Sequence, residues 1–189
     1  MNAPVSEQQR TRNRGMLVLI VVCFLGSALV AGALRFSGWR PAGMKNHGEL
    51  LDPPGDLRGM EPRLQAGGDY AWNPAERTWR IVVAPADGCG APCARLSGEL
   101  DTVWRLFTHR ADKVHILWAG QVPEGAVRNE AWREIVPAPA LLQALPRRQD
   151  PAGVPVYVVD PNGFVILRYP PGFDPGHLRE DVARLLKLK

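Results

Sequence analysis

From Thr78 onward the chain alternates short apolar runs with segments of helical spacing. Trp79 to Ala84 (WRIVVA) is mostly apolar, as a central strand buried on both faces requires. Val114 to Trp118 (VHILW) predicts a second strand and Trp132 to Val136 a short third one. Val154 to Val159 and Phe164 to Arg168 flank Asp160-Pro161-Asn162-Gly163, a strong hairpin signal. Between the first two strands, Leu96, Leu100, Trp104 and Phe107 recur at helical spacing, and Thr108 to Asp112 ends that helix. Pro139 to Leu145 suits a short helix. Pro175 to Leu188 suits an amphipathic one, with Leu178, Val182, Leu185 and Leu186 on its buried face and Lys187 and Lys189 at its C-terminus. Strand, helix, strand, helix, hairpin, helix predicts an α/β fold: a small open sheet with helices on both faces.

The N-terminal part has a different pattern. Gly15 to Leu34 carries no charge over 20 residues. At 1.5 Å per residue it spans about 30 Å, the thickness of a bilayer core. Residues 1–14 read as a cytoplasmic tail, 15–34 as one transmembrane helix and 76–189 as an exported domain. A cleaved signal peptide is the alternative, since Ala31-Gly32-Ala33 resembles a cleavage site, but the apolar run is long for that role. Residues 35–75, rich in Pro and Gly, read as a connector lying over the domain as an extended arm. Trp39 suits a membrane-interface position.

Composition adds two points. The full chain is 46% hydrophobic, and the part beyond the apolar run is expected to be globular rather than disordered. Of the net charge of +4, half belongs to the first 14 residues, and elsewhere opposite charges are interspersed. There is no basic stripe, which argues against nucleic acid.

Candidate chemistry centres on Cys89-Gly90-Ala91-Pro92-Cys93, at the junction of the first strand and its helix. Two thiols four residues apart at a helix start share one face of one turn. Exposed N–H groups and the helix dipole favour a thiolate there. Such a pair can close a disulfide, exchange electrons or offer two soft ligands to Cu(I). Cys23 lies in the apolar run and reads as a lipid-facing or packing residue.

The element order resembles the thioredoxin-like fold over about residues 76–189. Pro155 then looks like that fold's proline, which follows a cis peptide bond and faces the active-site cysteines. A membrane-anchored thioredoxin-like domain with CxxxC resembles the Sco family of cytochrome c oxidase assembly proteins, and Asp160-Pro161-Asn162-Gly163 looks like that family's Asp-Pro-x-Gly turn. The resemblance implies Cys89 and Cys93 as copper ligands or redox residues. It implies a cytochrome c oxidase subunit or other assembly factors as partners. It places the chain in a bacterial inner membrane, with the C-terminal domain on the periplasmic side. Two features depart from it. Ala94 stands where the family places proline after the second cysteine, and residues 150–155 lack the family's metal histidine.

None of the four histidines is an evident substitute. His109, 16 residues beyond Cys93 on the same helix, lies about 24 Å away. His115 lies about 16 Å from the C-terminal end of its strand. His177 begins the last helix, and His47 alone sits in a segment free enough to fold back. Met44 and Met60 offer thioethers. Asp87 reads as a turn residue, although a nearby carboxylate would raise a thiol pKa. The expected function is a thiol–disulfide reductant or transient Cu(I) carrier, with Cys89 as the nucleophile. The alternative is a non-catalytic scaffold of a membrane complex in which the pair is a structural disulfide.

Overall fold

The computed structural model describes residues 7–37, 45–86 and 89–188; Trp39, Met44, Asp87 and Lys189 lie outside the described residues. The chain divides into two compact units, Met1–Lys45 and Asn46–Lys189. In the first, helix α1 (Glu7–Phe36) contains a stretch, Arg12–Phe36, long and apolar enough to cross a membrane. The Cys23 side chain is exposed on it.

The second unit is a thioredoxin-like fold. Its strands are β1 (Glu49–Asp56), β2 (Trp79–Val83), β3 (Val114–Ala119), β4 (Trp132–Ile135), β5 (Val156–Val159) and β6 (Phe164–Tyr169). They form one sheet in the order β1-β6-β5-β2-β3-β4. β2, β3 and β4 run parallel, while β5, β6 and β1 each join antiparallel. The helices are α2 (Gly90–Arg105), α3 (Pro139–Gln143) and α4 (Pro175–Leu185).

Alternation along β2 separates an upper core on the Ile81 and Val83 side from a lower core on the Val82 side. Ile81 and Val83 face α2 and α4, in a cluster with Cys93, Leu100, Val103, Leu178 and Val182. Val82 and Ala84 face the other side, with Leu57, Tyr70, Trp72, Leu141 and Val165. The helix face predicted for residues 96–107 is the one that packs: Leu100 and Phe107 are buried, and Leu96 and Trp104 are partly so. The hairpin forms as expected. Asp160 Oδ1 accepts from the N–H of Asn162 at 2.9 Å and of Phe164 at 2.8 Å.

The connector differs from expectation. The compact unit begins at Asn46, and residues 46–75 are part of it rather than an arm over it. Two things hold them. First, β1 adds an edge strand beside β6, where its two prolines are tolerated. A side chain at Gly55 would collide with the Ala144 carbonyl at 2.2 Å, so glycine permits that close approach. Second, Leu57, Tyr70 and Trp72 roof the lower core. Trp72 Nε1 donates to the carbonyls of Leu57 (3.0 Å) and Met60 (2.6 Å). Arg80, buried in β2, donates to the Trp72 carbonyl and to those of Asp160 (3.2 Å) and Pro161 (3.1 Å), tying this segment to the hairpin. The start of the unit is pinned as well. Asp181 Oδ2 accepts from the N–H of His47 (2.7 Å) and Gly48 (3.0 Å) and from the Tyr169 hydroxyl (2.7 Å).

Trp72→Ala should lower the unfolding free energy by about 3–5 kcal/mol, because it opens a cavity under β2. A loss below about 1 kcal/mol in urea titration would show the segment to be peripheral. His115 gives a pH signature. It sits on β3 with Nδ1 2.7 Å from the Tyr70 hydroxyl. Burial, aided by the Arg133 and Arg80 charges, holds its pKa down from 6.5 to about 4. As pH falls the unfolded chain takes up this proton first, so stability falls between about pH 6.5 and 4 and then levels off. The loss is on the order of 2–3 kcal/mol. His115→Gln should remove that part of the pH slope in denaturant titrations at pH 7, 5.5 and 4.

Candidate functional site

The site is built where β2 ends. Cys89 is the N-cap residue of α2, and Cys93 lies in its first turn. The two are joined by a disulfide, with Sγ–Sγ 2.09 Å and Cα–Cα 5.6 Å. Their surroundings differ. Cys93 is 1% exposed within the upper core, whereas Cys89 is half-buried at its rim. Pro92 is the third helical residue and has no N–H, so fewer free donors remain at this helix start to favour a Cys89 thiolate.

A groove of about 490 Å³ runs past the pair. One wall is α2, through Pro92, Leu96 and Glu99; the other is Gly153–Val154 and Pro171–Phe173. A smaller cavity of about 250 Å³ reaches Cys89 from the Gln121–Glu124 side.

The far wall is held by ion pairs to one buried arginine. Arg168, 2% exposed, donates to Asp150 Oδ2 at 2.6 Å and Glu49 Oε2 at 3.2 Å. Asp150 Oδ1 also accepts from Ala152 N at 3.0 Å, closing the turn that ends at Gly153. The Ala152 N–H and the Arg168 guanidinium hold the Asp150 carboxyl below its ordinary pKa. Phe173 stacks obliquely on Tyr169, with centroids 5.2 Å apart. Burial and the bonded Asp181 carboxylate push the Tyr169 hydroxyl up, so it stays protonated as a donor. Asp174 caps α4 by accepting from Gly176 N at 2.7 Å, which fixes the end of this wall.

Pro155 corrects an expectation. It is buried at the start of β5, but the Val154–Pro155 bond is trans; among the described residues the cis peptide bond is Asp52–Pro53. The reversal before β5 is made instead by the Asp150–Gly153 turn, with Gly153 at φ 138°.

No histidine among the described residues lines the groove. His47 stacks on His177, with ring centroids 4.0 Å apart, and its Nε2 lies 3.2 Å from Glu180. His115 is engaged by Tyr70, and His109 lies on the 3-10 turn Thr108–Lys113. Met60 packs in the lower core, on the face opposite Cys93. Among the described residues no cluster of three His, Cys, Asp or Glu side chains could hold a metal. The groove therefore brings two sulfurs together without an imidazole. That donor set, once reduced, fits Cu(I) passing as cargo and does not fit a Cu(II) centre.

Sequence reasoning reached the cysteines but missed Arg95, Glu99, Phe173 and the Arg168–Asp150 pair. Arg168 had a visible signal, since a charge inside an apolar strand requires a buried partner.

Comparison with known proteins agrees on the fold. A family model for a transmembrane-like, thioredoxin-like, C-terminal domain matches residues 79–189. No curated protein sequence matches the chain significantly. Among solved structures, BsSco, a Sco-family cytochrome c oxidase assembly protein with a disulfide switch, superposes with TM-score 0.51 at 12% identity, covering 78% of this chain and 99% of its own. Copper-bound ScoI of Arabidopsis thaliana gives TM-score 0.50 at 11% identity, covering 74% and 98%. Trgpx in its apo form gives TM-score 0.51 at 12% identity, covering 70% and 96%. Identities this low establish a common fold. With the model matched over more than half its length, the chain belongs to the family of transmembrane-like, thioredoxin-like C-terminal domains.

Proposed function

We propose that this protein is a membrane-anchored thiol–disulfide reductant that acts on cysteines of a copper-receiving partner during cytochrome c oxidase assembly. The observation that carries the reading is the asymmetry of the pair: one sulfur at the rim of a groove, the other in the core. In the reduced chain the Cys89 thiolate attacks a partner disulfide. A mixed disulfide forms and one partner thiolate leaves. Cys93 then attacks Cys89 Sγ, its proton passing to the departing partner sulfur, which leaves as a thiol and restores the Cys89–Cys93 disulfide. Two electrons pass to the partner, and an external dithiol must reduce the chain again.

The oxidase assignment is supported by the CxxxC pair, the Asp160–Gly163 turn and the anchor-length helix, as in the Sco resemblance. The same resemblance supports a bacterial inner membrane location with the domain on the periplasmic side, where a disulfide persists. Copper enters as cargo. Reduction of the partner is the better supported role, because two sulfurs without a third ligand make a poor resting site for Cu(II).

In cells of the source organism, Cys93→Ser should accumulate a dithiothreitol-sensitive adduct containing an oxidase subunit or assembly factor, and Cys89→Ser should not. Equal adducts from both variants, or from neither, contradict the exchange mechanism. Adducts with unrelated proteins alone contradict the oxidase assignment.

A further inference from the structure

Two charged side chains line the α2 wall of the groove, Arg95 and Glu99. They stand one turn apart, the spacing at which opposite charges on a helix pair. Elsewhere in the domain this happens: Arg105 Nε meets Asp101 Oδ2 at 2.8 Å, and Arg184 meets Glu180 at 3.4 Å. In both of those pairs the acid is N-terminal to the arginine, the favoured order. In Arg95–Glu99 the order is reversed, and neither side chain makes an ion pair or hydrogen bond among the described residues. Glu99 is half-buried on that wall and Arg95 is exposed at its rim. Both charges stand ready for a bound ligand.

The length of the groove says what kind. From Cys89 to Glu99 is ten residues of helix, about 15 Å. An extended polypeptide covers that distance in about four to five residues. A hydroperoxide or a lone thiol would fill only the cysteine end and leave Glu99 unanswered. Between the two ends the groove offers Leu96 and Phe173, apolar surface for one side chain.

We propose that the groove is a peptide-reading site. It takes an extended segment of a protein partner with its cysteine at Cys89, an apolar side chain on Leu96 and Phe173, and a lysine or arginine at Glu99. Arg95, exposed at the rim, meets an acidic side chain of the same segment. This rests on the exchange reading above and adds the substrate class to it.

The test uses the reduced full-length chain in detergent and short synthetic peptides. Each peptide carries one cysteine as a mixed disulfide with thionitrobenzoate, followed by an apolar residue. Attack of Cys89 on the peptide sulfur releases the coloured thionitrobenzoate anion, and Cys93 then displaces the peptide thiolate. One peptide has lysine four residues from the cysteine and the other glutamate. The lysine peptide should reach half-saturation at a concentration about tenfold lower. Glu99→Lys should reverse this preference and Glu99→Gln should flatten it, with both changes in the half-saturating concentration. Equal half-saturation by the two peptides, or a lysine preference that survives both substitutions, overturns the peptide-reading site while leaving exchange intact. No release from any peptide overturns both readings.

Discussion

Strand β2 is the constraint on which the site depends. It is hydrogen-bonded to β5 on one side and β3 on the other, and Ile81, Val82 and Val83 are wholly buried. Burial of each such side chain contributes about 1.5–3 kcal/mol, so the end of the strand is a fixed point. Helix α2 must return over Ile81 and Val83, and Cys93 is one of the residues that pack there. Cys89, one turn earlier, is left at the rim. The chemical difference between the sulfurs is therefore a consequence of core packing. The same alternation directs Val82 and Ala84 to the other face, which explains why the segment before β2 folds beneath the sheet.

Much of this was legible in the amino-acid sequence. Every strand from Trp79 onward and helices α2, α3 and α4 emerge from periodicity and turn chemistry, although α2 ends at Arg105 and Thr108–Lys113 forms a separate 3-10 turn. The Asp160–Gly163 turn was legible because its residue types demand it. Residues 46–75 were not. Proline and glycine mask their weak pattern, and β1 exists only because β6 offers it an edge. What holds the segment is long-range: an indole on two carbonyls and a buried arginine capping others. The trans geometry before Pro155 was equally hidden, since the resemblance carries a fold-wide habit and Gly153 makes the turn in its own way.

The site follows the same division. Spacing singled out Cys89 and Cys93, and neither His109 nor His115 lines the groove beside them. Periodicity could not foresee that Pro171–Phe173 and Gly153–Val154 form the opposite wall, because that depends on a long-range contact, Arg168 of β6 reaching Asp150 in the turn before β5. His47, free in sequence terms, is committed to His177 and Glu180. The segment where the Sco resemblance leads one to look for a metal ligand is here a closed turn of small residues facing the sulfurs. Two sulfurs beside a groove that no histidine among the described residues lines are the basis of the proposal that the pair exchanges disulfides rather than stores metal.

The reduction potential of Cys89–Cys93 tests that claim most directly. The full-length chain would be equilibrated in graded dithiol–disulfide buffers and the fraction of free thiols measured by alkylation and mass. A catalytic pair should equilibrate between about −120 and about −270 mV, the range in which thioredoxin-like exchange proteins work. A value well below about −300 mV would mark a structural disulfide. It would contradict the reductant account and favour a scaffold held together by an inert bond.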